Sequence, residues 1–243
     1  MLQLYKLEFA KVQWSVIFLL IALDTVINSG LGAMYMESFK EIFSPSWYQL
    51  YNQSQSFHTL FFYPLYAGIF ASLICYYEHK NNVWKQLLSL PISKSHLYLA
   101  KFGMLMTLMA LVQIAFFFAY IITGWIIQPP GRIAWGQLTS YAFLGWLSIF
   151  PLCALQLWIS QKVKGFGKSL VLNISLVLPN LIVTGMVYYI AAWFPFSLPF
   201  FAMSPKAGVA HPFDPISFWF IVAFTTLLYL VLGWRIFIRR EWG

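Results

Sequence analysis

The stretch FGMLMTLMALVQIAFFFAYIITGWII, residues 102–127, contains no charged side chain and decides the fold class of this chain. A helix needs ~20 mostly apolar residues to cross the hydrocarbon core of a bilayer, and this stretch is longer than that. The whole chain has the same character, because 60% of its 243 residues are hydrophobic and 9% are charged. A soluble domain carries about 25% charged residues, so the composition indicates an integral membrane protein.

Six segments are long and apolar enough to cross a membrane. We therefore predict an all-α, polytopic protein with one membrane domain over 1–243 and transmembrane helices at 14–36, 57–77, 97–127, 137–160, 169–193 and 216–237. Residues 1–13 place Leu2, Tyr5, Phe9 and Val12 at helical spacing, which predicts an amphipathic helix on the membrane surface. A simple extension of the first transmembrane helix is the alternative.

The basic residues predict the orientation of these helices. With the N-terminus in the cytoplasm, only Lys40, Arg132 and Lys206 of the 15 basic residues fall on the outer side. Cytoplasmic loops carry the excess of Lys and Arg, so both termini are expected inside. The net charge of +8 is explained by this topology, and we expect no nucleic-acid partner.

The tripeptide Gly167-Lys168-Ser169 matches only the end of a nucleotide-binding P-loop. The first glycine of that motif would fall at position 162, where the sequence has Lys162, and an apolar helix rather than a strand precedes it. We therefore expect no ATPase site and no bound cofactor in this chain. We expect no metal either, because the four histidines and two cysteines do not show the spacing of metal ligands. An intramembrane enzyme is also disfavoured, because the apolar segments show no nucleophile paired with a base.

The loop between the second and third predicted helices, residues 78–96, is longer than a simple connection requires. Val83 and Leu87 lie on one stripe of a predicted short helix, Trp84 and Leu88 lie on the next, and Pro91 ends it. An amphipathic helix of this kind either lies on the lipid surface or binds in a groove of a cytoplasmic partner.

Glu78, the stretch KNNVWKQLLSLPISK at residues 80–94 and Lys101 resemble the intracellular loop of type-2 ABC transporter permeases. Within that family, the chain is most similar to the small permeases of bacteriocin or lantibiotic immunity and bacitracin resistance. Six helices, the length of the chain, an amphipathic N-terminal helix and the lack of a fused ATPase match the same group. The specific part of the resemblance covers residues 78–101.

The resemblance implies a coupling helix at 81–89 that binds a separate ABC ATPase dimer, which holds ATP and Mg²⁺. The ATPase interface implied by the resemblance comprises Glu78, Lys80, Val83, Trp84, Lys85, Leu87 and Leu88. A second permease chain, identical or related, is also implied. The implied function is expulsion of an amphipathic substrate, an antimicrobial peptide, across a bacterial cytoplasmic membrane for self-immunity or resistance.

Two further sets of residues are candidates for function. Asp24 is the acid inside a predicted helix and has Asn28 one turn away, so we predict a substrate path or permease interface, with a satisfied buried acid as the alternative. In the Pro- and Phe-rich outer segment 194–215, predicted to be a re-entrant or loop region, Phe196, Phe200 and Phe201 form a candidate aromatic lid. His58 is expected at the outer face as a solvated loop residue, with a pH-sensitive contact as the alternative. A stand-alone secondary transporter and a structural membrane subunit are the alternative functions.

Overall fold

The structure is a computed structural model that describes residues 2–42, 44–79, 93–163, 165–186, 188–191, 193–205 and 214–239. Within these ranges, every regular element is helical. The elements are α1 (Leu2–Lys11), α2 (Trp14–Ser38), α3 (Trp47–Phe57), a π-helix (His58–Phe62), α4 (Tyr63–His79), α5 (Lys94–Ile127), α6 (Trp135–Ser148), α7 (Phe150–Lys162), α8 (Phe166–Met186), α9 (Tyr188–Ala191), α10 (Leu198–Met203) and α11 (Pro215–Arg239).

Six helices are long and apolar enough to cross a membrane, as the sequence predicted. They are Trp14–Ser38, Trp47–Glu78, Lys94–Ile127, Trp135–Lys162, Phe166–Met186 and Pro215–Arg239. The prediction of an all-α fold with six candidate transmembrane helices is confirmed.

The second long helix begins about three turns earlier than the sequence predicted. Prediction placed its start at residue 57, whereas α3 begins at Trp47, where the hydroxyl of Ser46 accepts the N–H of Gln49 at 3.2 Å. The sequence of α3, WYQLYNQSQSF, is too polar to register as a transmembrane segment. It is helical because Leu50 and Tyr51, and one turn later Ser54 and Gln55, form one buried face.

Two prolines lie next to departures from regular helix, and a third lies inside a helix. Pro64 is the second residue of α4, which follows the π-helix, and Pro151 is the second residue of α7, next to its junction with α6. Pro179 lies within α8, which ends at Met186, short of the predicted residue 193. A proline has no N–H for the preceding turn, so helices commonly break or bend at these positions.

The bundle is organised around α4, which packs against α5, α7 and α8. Gly68 lets α8 approach α4 closely, because a Cβ at this position would overlap the side chain of Asn173. Asn173 Nδ2 donates to the carbonyl of Leu65 at 2.8 Å, and Gln156 of α7 donates to Asn173 Oδ1 at 2.7 Å. Small residues and interhelical side-chain hydrogen bonds are the usual means of joining helices in a membrane.

Asp214 caps the last helix. Its carboxylate accepts the N–H groups of Ile216 and Ser217 at 3.1 and 3.2 Å, and the Ser217 hydroxyl at 2.6 Å. The bond from the Ser217 hydroxyl, with the backbone donors, holds the pKa of the Asp214 carboxyl below its usual range. The start of α11 is thereby fixed by the residue types that favour a helix N-terminus.

Candidate coupling site and buried polar centre

Four charged side chains meet where the loop 80–92 leaves α4 and enters α5; we call them the loop-base cluster. Lys101 Nζ lies 2.6 Å from Glu78 Oε1 and 2.9 Å from Glu8 Oε2. Lys11 Nζ lies 3.0 Å from Glu78 Oε1 and 3.1 Å from Glu8 Oε1. Two bases and two acids thus form one cluster that is neutral overall.

Burial makes this cluster energetically important. Lys101 and Glu78 are fully buried, and Glu8 is 3% exposed. The carbonyl of Ile74 also accepts a hydrogen bond from Lys101, at 3.2 Å. Removing one member of a buried ion pair typically costs about 3–5 kcal/mol, because the partner is left as an uncompensated charge. The four side chains therefore hold their three helices together as a unit.

The N-terminal helix α1 is fixed to the beginning of α5 by further contacts. The hydroxyls of Tyr5 and Thr107 lie 2.7 Å apart, about one and a half turns beyond Lys101 on α5. Gly103 lies between Lys101 and Thr107 on α5 and has no side chain. The Tyr5 ring lies 3.9 Å from the position that a Cβ atom of residue 103 would take. α1 therefore packs along α5, and its acid Glu8 faces the protein.

The C-terminal helix α11 also contacts the start of α5. Trp234 Nε1 donates to the hydroxyl of Ser95 at 2.9 Å. Lys94 Nζ donates to the carbonyl of Ile238 in the last turn of α11 at 3.3 Å, where a positive charge is favoured by the helix dipole. The start of α5 is therefore joined to α11 as well as to α1 and α4.

The predicted ATPase interface is only partly within the described residues. Lys80, Val83, Trp84, Lys85, Leu87 and Leu88 lie outside them, so their role stays a prediction. Glu78 was expected as a polar contact at the rim of that interface. Its side chain is instead turned into the protein, because Lys101 and Lys11 both pair with it.

Sequence reasoning did not foresee the partners Glu8 and Lys101. It counted Lys101 only as a topology charge and as part of the family resemblance. The available signal was the presence of opposite charges at the predicted inner ends of helices, because such charges are costly in apolar surroundings unless paired.

A second buried polar group lies deeper in the bundle, between α2 and the π-helix. Asp24 is fully buried, and His58 Nδ1 lies 3.0 Å from its Oδ1 and 2.9 Å from its Oδ2. Asn28 donates to Asp24 Oδ1 at 2.7 Å. On its other side, His58 Nε2 lies 3.4 Å from Oε1 of Gln113, and the imidazole stacks on Phe116 with ring centroids 4.1 Å apart.

This arrangement corrects the expectation for His58. The sequence placed it at the outer face as a solvated residue, but it is fully buried because it is the partner of Asp24, which lies 34 positions earlier. Asp24 and Asn28 are likewise buried within the chain. The contacts pair the buried Asp24 carboxyl with His58 and Asn28, and a role of Asp24 in a substrate path or permease interface stays a prediction.

The candidate aromatic lid packs inward. Phe196 is fully buried in the main core, and Phe201 is 1% exposed in a smaller cluster with Leu198 and Phe218. Phe200 packs partly buried against the same smaller cluster. The rings of Phe196 and Phe201 therefore fill the space between helices in this arrangement and present little surface to a ligand.

Comparison with known proteins supplies the family. A comparison with curated proteins gives no significant match. A family model described as ABC-2 family transporter protein matches residues 4–180, which is more than half of the chain. The match covers most of α1, all of α2 to α7 with the loop 80–92, and most of α8. Together with the six apolar helices, this match shows that the chain belongs to the ABC-2 transporter family and is a multi-pass membrane permease subunit of an ABC transporter.

Proposed function

We propose that this chain is the membrane subunit of an ABC exporter that removes an amphipathic antimicrobial peptide from a bacterial cytoplasmic membrane. A separate ATPase dimer binds ATP and Mg²⁺ and engages the loop 80–92, and a second permease chain completes the transporter. Both termini and this loop face the cytoplasm. The resemblance of residues 78–101 to the permeases of bacteriocin immunity and bacitracin resistance supports the substrate class.

The observation that carries the coupling proposal is the loop-base cluster. A loop that transmits force needs a rigid attachment to the membrane helices. Glu78 at the exit of α4 and Lys101 near the start of α5 are joined directly at 2.6 Å, and Glu8 attaches α1 to the same point. The cost of separating these buried charges makes the two ends of the loop move as one body.

The loop itself offers the chemistry of a docking helix. Trp84, Leu87 and Leu88 are large apolar residues at helical spacing, and polar residues such as Lys80, Lys85 and Gln86 lie between or beside them. Tryptophan is enriched among residues that dominate binding energy at protein interfaces, and apolar anchors of a helix commonly bind in a groove of the partner. Lys80 and Lys85 would lie at the edge of this contact, with Val83 beside the anchors.

The experiment is affinity purification of the tagged chain from cells that contain its natural partners. The wild type is compared with the triple variant Trp84→Ala, Leu87→Ala, Leu88→Ala. We expect an ATP-binding subunit to co-purify with the wild type and to be lost, by tenfold or more, with the variant. A matched control, Trp125→Ala, Ile122→Ala, Ile126→Ala, changes one Trp and two aliphatic residues that are exposed at the far end of α5.

The control should retain the subunit. Loss of the subunit in both triple variants, or its absence from the wild-type sample, would argue against coupling through this loop. The substrate class is tested separately, by the sensitivity of cells that lack the chain to cationic amphipathic peptides. Restoration of resistance by the wild type, and not by the loop variant, is the expected result.

A further inference from the structure

A groove between α5 and α6 opens sideways from the bundle. It has a volume of about 500 Å³ and is lined by Ala110, Gln113, Ile114, Phe117, Phe118, Thr139, Ala142, Phe143 and Trp146. Ile114, Phe118 and Phe143 are each more than half exposed on its walls. Because α5 and α6 belong to membrane-crossing helices, this groove faces the hydrocarbon of the bilayer rather than water.

The floor of the groove carries one polar side chain with capacity left for a ligand. Thr139 donates to Trp135 of its own helix at 2.9 Å, and Trp146 Nε1 donates to the Met106 carbonyl at 3.0 Å. Gln113 is 3% exposed, and its Nε2 contacts the thioether sulfur of Met203 at 3.3 Å. A thioether is a weak acceptor, so a stronger acceptor would bind this N–H group better.

The position of Gln113 restricts the occupant. Gln113 lies near the middle of α5, a helix of 34 residues, and therefore near the middle of the membrane. The ester groups of bilayer lipids lie at the interface, not at this depth. A peptide group in hydrocarbon, in contrast, needs a partner for both its N–H and its C=O wherever it lies. The primary amide of glutamine offers one donor group and one acceptor, which match a peptide group.

Backbone hydrogen bonding decides between a helical and an extended segment. In an α-helix the interior peptide N–H and C=O groups pair within the helix, so they have no need of a partner such as Gln113. In an extended segment these groups have no partner of their own. The groove has a volume of about 500 Å³ and is open along one side. An extended segment that places aromatic or aliphatic side chains against Phe117, Phe118 and Phe143 is compatible with its size.

We propose that this groove binds an extended apolar segment of the transported peptide and that the Gln113 amide pairs with one of its peptide groups. The proposal rests on the proposed function, because it names where the substrate enters the chain from the membrane. Met203 releases Gln113 Nε2 when the peptide carbonyl takes its place. His58, behind Gln113, keeps the amide at the floor of the groove through its contact at 3.4 Å.

The test uses the purified full chain in nanodiscs without ATP. The probe is a synthetic eight-residue peptide of Leu, Phe and Lys that carries a photoreactive leucine, and labelled positions are mapped by mass spectrometry. We expect labelling at Ile114, Phe118 and Phe143. Ala142→Phe should reduce it about tenfold by filling the groove, and Ala223→Phe, the same change at an exposed position of α11, should leave it unchanged.

A second arm tests the amide pairing. Gln113→Leu should weaken binding of the peptide about fivefold, the loss of roughly one hydrogen bond. An analogue in which esters replace the peptide bonds should bind the wild type more weakly and be insensitive to this substitution. If Ala142→Phe fails to fold, the proposal is tested by comparing how tightly the wild-type chain binds the peptide and the ester analogue. Equal binding of the two would then contradict the proposal.

Three results would overturn the proposal. One is equal labelling of the exposed residues of α11 and of the groove, unaffected by Ala142→Phe. Another is labelling of the groove by a lipid that carries a photoreactive acyl chain, when added peptide does not reduce this labelling. The third is coverage of the groove by a second copy of the chain, seen as cross-links between copies. None of these results bears on co-purification of the ATPase, so failure here is distinct from failure of the proposed function.

Discussion

Asn180 Nδ2 lies 2.9 Å from the carbonyl oxygen of Leu60, and this contact joins α8 to the π-helix. Pro64 lies four residues after Leu60 and has no N–H to donate to that carbonyl, as another residue in an α-helix would. Asn180 supplies this carbonyl with a hydrogen-bond donor from a neighbouring helix. The side chain of α8 therefore compensates for the irregularity in the central helix.

We expect Asn180→Leu to destabilise the protein by about 1–2 kcal/mol, toward the upper end of interhelical hydrogen bonds measured in membranes. Thermal unfolding in detergent gives the measurement. Ser175→Ala is the matched control on the same helix, because Ser175 is exposed and donates only to Val171 of its own helix at 2.8 Å. Equal effects of the two substitutions would contradict the role assigned to Asn180.

The loop-base cluster predicts a large effect of a single substitution. Lys101→Met leaves Glu78 without its closest partner and should destabilise the chain by about 3–5 kcal/mol. Lys40→Met removes the exposed pair with Glu37 and should change stability by less than about 1 kcal/mol. The unfolding midpoints of the two variants give the measurement. If these midpoints differ little, the cluster does not hold the three helices together.

Close packing of α8 on α4 predicts that Gly68→Ala is destabilising. Its Cβ would overlap the Asn173 side chain, so the helices must separate or Asn173 must give up its bond to Leu65. The comparison is Gly30→Ala in α2, where no atom lies within 4 Å of the new Cβ. That change should be neutral or stabilising by up to about 1 kcal/mol, since alanine favours a helix. A neutral result at Gly68 would show that α4 and α8 are not packed as described.

The Asp24–His58 pair predicts non-additive stability changes. His58→Leu leaves the buried Asp24 carboxyl group without its imidazole partner and should cost about 1–3 kcal/mol. Adding Asp24→Leu removes the unpaired carboxyl group as well, so the double variant should be more stable than His58→Leu alone. A double-mutant cycle on thermal stability gives the coupling between the two residues. Additive effects would show that the two side chains do not interact in the folded protein.

Hydropathy was sufficient to predict the six membrane-crossing helices, because burial in lipid imposes a long apolar segment on each of them. It missed α3, whose polar residues are accommodated by packing on α2 rather than by lipid. Packing between helices depends on contacts that a hydropathy pattern does not contain.

The candidate site was predictable only in part, for a related reason. Glu78 and Lys101 were recognised from the resemblance of the loop, but their direct contact is a consequence of how α4 and α5 pack. Glu8 and Lys101 are 93 positions apart, and Asp24 and His58 are 34 apart. Separations of this size carry no periodic signal in a single sequence, and the partners become evident only when the helices are assembled.

The decisive measurement is ATP hydrolysis by the affinity-purified complex in nanodiscs. We predict that the wild-type sample hydrolyses ATP through its co-purified subunit. The Trp84→Ala, Leu87→Ala, Leu88→Ala variant should lose that activity per permease chain, and the control triple variant at the far end of α5 should keep it. Equal ATP hydrolysis with and without the three loop side chains would contradict the claim that this loop couples the permease to its ATPase.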